Sequence, residues 1–152
     1  LAAAGKALYH AAAVVASNYL SALYFVAERL GAESGLGDQA RQVLAPLMQA
    51  TLARAGALGL PAALTGPIER GDQATVGRHL AALRARGADD RDAVLALYAG
   101  CGLVAARMAV LKRRSAAGDG DEGTAVGPKA APLPEPWAAI EARLWDEFEV
   151  SR

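Results

Sequence analysis

The sequence predicts an all-α protein, a bundle of four to six helices, on three observations. Its 152 residues are 53% hydrophobic but only 5% aromatic, so the core is assembled from Ala, Leu and Val, which suits closely approaching helices better than sheets. Apolar residues recur at spacings of three and four along most of the chain. Gly, Asp and Pro stand where those periodic runs begin and end.

The elements follow in order. An uncharged run between Lys6 and Glu28 predicts a first helix from Ala7 to Leu30, ended by Gly31 and the loop sequence AESGLG. Asp38 is the N-cap of a second helix, with Val43, Leu44, Leu47, Met48, Leu52 and Leu58 in its stripe, Pro46 as a kink and Gly59 as its stop. The segment LPAALTGPIERGD, rich in Pro and Gly, reads as an ordered connection. Asp72 then caps a third helix carrying Val76, Leu80 and Leu83 and stopping at Gly87. A fourth, from about Asp90, carries Val94, Leu97, Tyr98, Cys101, Ala105, Met108 and Leu111. It ends on Lys112, Arg113 and Arg114, where the negative end of the macrodipole favours cations. Residues 115–136 have the composition of a flexible linker. Pro136 opens a last helix with Trp137, Ile140, Leu144, Trp145 and Phe148 in one stripe, which either packs on its own domain or dimer or docks in a partner's groove. The expected organisation is a helical domain over 1–114, a linker over 115–136 and a C-terminal amphipathic helix over 137–150.

Charge and cysteine usage narrow the partners. Lys plus Arg and Asp plus Glu number sixteen each, so no net field draws the chain onto nucleic acid or an anionic membrane, and neither is expected as a partner. Cys101 is the only cysteine, which rules out an internal disulfide framework and a multi-cysteine zinc site and fits a reducing cytoplasm. The run after Lys6 has the hydropathy of a signal or membrane segment. However, His10, Ser17, Asn18, Tyr19 and Ser21 lie within it, and each polar group would need a partner in lipid.

At ~100° per residue, Ser17, Ser21, Tyr24 and Glu28 fall within about 40° of His10, with Asn18 flanking them, while Leu8, Val15, Tyr19, Leu23, Val26 and Leu30 lie opposite. The polar face carries His, Ser and Tyr where a solvated face would carry Lys and Glu. It reads either as a cleft lining that offers donors and acceptors to a small molecule, or as polar contact between packed helices. Other signals have simpler explanations. GDGDEG has no strand before it and is no dinucleotide loop, and Asp119 and Asp121 lack the further ligands of a calcium loop. His79 reads as structural, and no metal site is expected.

The runs YHAAAVVASNYLSAL, PLMQATLARAGALG and ALTGPIERGDQATVGRHLAAL resemble one family of domains of unknown function, the DUF2520 type, from roughly Ala7 to Leu111. Its members place such a helical domain behind a Rossmann-like domain. The family is similar in architecture to pyrroline-5-carboxylate reductase and 6-phosphogluconate dehydrogenase, whose helical domain dimerises and shapes the substrate cleft. The resemblance implies the substrate-binding and dimerisation half of an NAD(P)-dependent reductase or dehydrogenase of a small anionic oxo or imino acid. The NAD(P) would be held by a domain outside these residues, so this chain alone would not be active. The alternative is a non-catalytic helical dimerisation or interaction module. Under the reductase reading His10 and Asn18 are the candidate catalytic residues, and Ser17, Ser21, Thr65, Gly66 and Arg70 the candidate substrate contacts. The better-known dehydrogenases of this superfamily carry a lysine one helical turn before the asparagine; here Val14 stands in its place.

Overall fold

The computed structural model describes residues 2–118 and 132–150, and every regular element among them is helical, as the composition and periodicity predict. The helices are α1 (Ala3–Val14), α2 (Leu20–Gly31), α3 (Ala40–Leu58), α4 (Pro67–Arg70), α5 (Gln73–Arg84), α6 (Ala88–Ala117) and α7 (Trp137–Val150). Residues 119–131, the greater part of the expected linker, lie outside the described residues. Asp119 and Asp121 lie among them.

The chain divides into two compact units, Leu1–Ala53 and Arg54–Arg152. The division falls within α3, whereas the composition shift in the sequence suggests a boundary near residue 114.

In the first unit the expected first helix is interrupted. Val15–Tyr19 form a π-helical turn between α1 and α2. A second wide turn, Ala32–Leu36, with Gly35 at φ 106°, leads through Gly37–Gln39 into α3. Pro46 lies inside α3. Ala40 is the one buried residue among those described in this unit. Leu8, Val15, Tyr19, Phe25 and Leu47 are each more than half exposed. By length and composition the Ala3–Leu58 stretch and the Asp89–Ala117 helix are both apolar enough to cross a membrane; half of the most apolar window of the latter is buried inside the protein.

The second unit has a conventional core. Asp72 caps α5 as its position in the sequence predicts, accepting from Thr75 N at 3.0 Å and from Thr75 Oγ1 at 2.7 Å. Val76, Leu80 and Leu83 of α5 are buried, as are Val94, Leu95, Ala99, Leu103 and Ala106 of α6. The C-terminal helix packs on its own unit. Ile140 and Leu144 are fully buried, and the Trp137 indole donates to Ile68 O at 2.8 Å with Arg113 stacked 4.8 Å above its ring. Two ion pairs fix α7 sideways, Arg107 with Glu141 at 2.6 Å and Arg84 with Glu147. Since a buried pair roughly balances its own desolvation, the buried Arg107–Glu141 pair fixes register more than it adds stability. Leu133, inside the expected linker, is also buried.

Candidate functional site

The polar face of the first unit is built around the π-helical turn. Widening the hydrogen-bonded step from i+4 to i+5 adds about one residue to the turn, and such single wide turns recur at functional sites. This one falls on Val-Ala-Ser-Asn-Tyr, so Ser17 and Asn18 sit on it. The Ser17 hydroxyl lies 2.7 Å from Ala13 O and 2.9 Å from Asn18 Oδ1. Ser21 Oγ donates to Ser17 O at 3.2 Å. Both serine protons are thus used on the helix itself, a local satisfaction open to short hydroxyl side chains. The one Ser17 proton is shared between Ala13 O and Asn18 Oδ1, and the exposed Asn18 amide has no other hydrogen-bond partner among the described residues. His10 is exposed on α1 and has no hydrogen-bond partner among the described residues. It lies eight residues before Asn18, ~12 Å along the axis at 1.5 Å per residue.

Farther along, the stripe turns inward. The Tyr24 hydroxyl and Glu28 Oε1 are shielded from water with no hydrogen-bond partner of regular geometry. Burial, with the Glu28 carboxylate close by, pushes the Tyr24 phenol above its ordinary range. Arg41 Nε approaches Glu28 at 3.7 Å, and Phe25, Glu28, Arg29 and Arg41 help line an open cavity of about 250 Å³. Neither Arg41 nor the wide turn is visible in helical-wheel arithmetic on a single helix.

Thr65, Gly66 and Arg70 belong to the second unit, and most of the motif around them is structural. Gly66, at φ 104°, precedes α4, whose first residue is Pro67. Gly71 ends α4 in the left-handed region at φ 71°, where a Cβ would run into Pro136. Lys112 staples this corner to α6, donating to Leu64 O at 2.8 Å and pairing with Glu69 at 3.2 Å. Two members of the motif take no part in that packing: Thr65 and Arg70 are exposed donors with no side-chain hydrogen bond or ion pair among the described residues, although the Arg70 charge acts on Asp72.

The remaining reactive side chains are accounted for locally. His79 Nδ1 meets Tyr98 OH at 2.9 Å, with the two rings edge to face. Desolvation raises the Tyr98 phenol and the Cys101 thiol above their usual values, which favours the protonated thiol. Among the described residues no three His, Cys, Asp or Glu side chains converge on a point where a metal ion would sit.

No curated protein and no solved structure matches the chain. The family model described as a domain of unknown function (DUF2520) matches residues 1–103, which takes in the polar helix face, the corner motif and the larger part of α6. On that match, over more than half of its length, the chain belongs to the DUF2520 family.

Proposed function

We propose that this chain is the substrate-side helical half of an NAD(P)-dependent reductase or dehydrogenase acting on a small anionic oxo or imino acid. The observation that carries the reading is the exposed polar face at and before the wide turn, where the Asn18 amide N–H groups and the His10 imidazole have no partner among the described residues. A carbonyl or imine that receives hydride must also receive a proton, and imidazole is the side chain that titrates nearest neutrality. His10 is the proton donor in this reading, and the Asn18 amide holds the substrate's acceptor oxygen, with Ser17 beside it and Ser21 bracing the turn through Ser17 O. Thr65 and Arg70 are the exposed anion-binding donors of the second unit.

The cofactor does not fit the residues present. No strand and glycine-rich turn occur before any described helix, and dinucleotide binding needs that phosphate cradle. In this reading the nicotinamide is held by a nucleotide-binding domain joined to this one. The apolar side of the same helix, with Leu8, Val15, Tyr19 and Leu23 exposed and no charge from residue 7 to 27, is the face that a second copy of the chain covers.

The test uses the protein joined to its nucleotide-binding domain and follows nicotinamide absorbance with a panel of 2-oxo and cyclic imino acids. His10→Ala and Asn18→Ala each lower turnover by about a hundredfold or more. Because both residues are exposed, their melting temperatures stay within a few degrees of wild type. Parallel loss of turnover and stability, or turnover indifferent to both changes, overturns the reading.

A further inference from the structure

We propose that the groove between α5 and α7 is a binding site for a small free α-amino acid. The groove is a cavity of about 200 Å³ lined by Gly77, Leu80, Arg84, Arg143 and Asp146. At about 30 Å³ per liquid water, that is the space of six or seven waters, enough for an ammonium, a carboxylate and a side chain of a few atoms.

The charges in the groove select the ligand. Arg84 is already paired with Glu147, whose side chain is 6% exposed. Arg143 and Asp146 have no hydrogen bond or ion pair among the described residues. They stand three apart on α7 and would ordinarily pair with each other. Arg143 instead reaches across to α5, where its Nη1 lies 2.8 Å from the position a Cβ on Gly77 would take. A glycine inside a helix costs about 1 kcal/mol relative to alanine, and here it makes the seat for a guanidinium. One free cation and one free anion are left facing a common cavity. A simple anion meets Asp146 and a simple cation meets Arg143, so neither gains on balance. A zwitterion engages both, its carboxylate on Arg143 and its ammonium on Asp146, with the 2% exposed Leu80 beneath its side chain. The site is independent of the polar face of the first unit. Its α7 wall lies beyond the family-matched residues 1–103.

Isothermal titration of the full chain with L-alanine, propionate and ethylammonium tests it. L-alanine binds about tenfold or more tightly than either half-ligand. Arg143→Ala and Asp146→Asn, both at exposed positions, each weaken L-alanine about tenfold with the fold intact by circular dichroism. Gly77→Ala displaces the guanidinium and weakens binding to a similar extent, while alanine's helix propensity keeps the melting temperature from falling. The proposal is overturned by equal affinity for propionate and L-alanine, by L-alanine binding that survives Gly77→Ala and Asp146→Asn, or by no saturable response up to about 10 mM.

Discussion

The contact between Leu144 on α7 and Gly102 on α6 makes a prediction whose sign reverses with context. Leu144 is fully buried, so Leu144→Ala removes three carbons from the core, about 2.4 kcal/mol of transfer free energy at roughly 0.8 per carbon. The unfilled cavity brings the loss to about 3–5 kcal/mol. A Cβ on Gly102 would lie 2.8 and 3.1 Å from the two Leu144 methyls and 3.5 Å from Ile68 Cδ1. Gly102→Ala alone therefore sets a helix-propensity gain of about 1 kcal/mol against an overpacking cost of about 1–3, for a net loss of up to about 2 kcal/mol. In the Leu144→Ala background the methyls are gone and only the ordinary contact with Ile68 remains. Gly102→Ala then stabilises by about 1 kcal/mol, so the cycle gives a coupling of about 1–3 kcal/mol. Urea unfolding followed by the fluorescence of Trp137 and Trp145 reads all four proteins. If the two changes add to within about 0.5 kcal/mol, or Leu144→Ala costs less than about 1 kcal/mol, α7 is not part of this core and the packing argument fails.

Gly71→Ala and Gly118→Ala place alanine in the same left-handed backbone region, but only the first meets Pro136. The conformational cost of about 1–2 kcal/mol is common to both, so chemical unfolding should find Gly71→Ala the more damaging by a further 1–3 kcal/mol of overpacking. Hydrogen bonds from Thr75 hold the Asp72 carboxyl below its usual range. Its contribution is therefore complete above the unfolded carboxyl pKa of about 3.9 and is lost as pH falls through the lower folded value. Asp72→Asn should flatten the acid limb of a melting-temperature profile below about pH 4; an unchanged limb would show that the cap does not titrate with unfolding. Light scattering of the full chain should give twice the monomer mass, and Val15→Lys with Leu23→Lys on the exposed apolar face should halve it. A monomer at every concentration would refute the dimer.

Much of the fold was legible because its signals are local. The Asp72 cap and the stripe of α5 follow from residues a few positions apart, and the structure has both; on α6 the buried face is instead Val94, Leu95, Ala99, Leu103, Ala106 and Val110, and of the expected stripe only Val94 is buried. What the sequence hid is long-range or compositionally silent. The partner of Arg107 is Glu141, 34 positions away, and nothing near Arg107 announces it. Glycine readings were also incomplete. Gly77, Gly100 and Gly102 look like weak points inside helices, yet each faces a side chain of α7, respectively Arg143, Phe148 and Leu144. They record the shape of a neighbour rather than a turn. The four-residue α4 lies in the stretch that the sequence marks only as an ordered connection, because Pro67 and the flanking glycines dominate so short a run.

The wide turn at Val15–Tyr19 rearranges the polar face that a uniform helix predicts. On a uniform α-helix Asn18 lies about 80° from His10, and Ser21, Tyr24 and Glu28 lie within about 40° of His10's line at ~100° per residue. The wide turn at Val15–Tyr19 uses about one extra residue, so positions beyond it lag by up to about 100°. That lag swings Ser21, Tyr24 and Glu28 away from His10 and brings Asn18, near the end of the turn, toward it. Eight residues make up one wide and one ordinary turn, which stacks His10 and Asn18 on one side of the helix. Their separation of ~12 Å along the axis is what two side chains reaching toward a small substrate between them span, whereas Tyr24 and Glu28, ~21 and ~27 Å from His10, cannot share that molecule. The position one turn before Asn18 is taken by the apolar Val14. The nearest group able to move a proton on Asn18's side is therefore His10, two turns back, and it reaches that side only because the turn between them is wide.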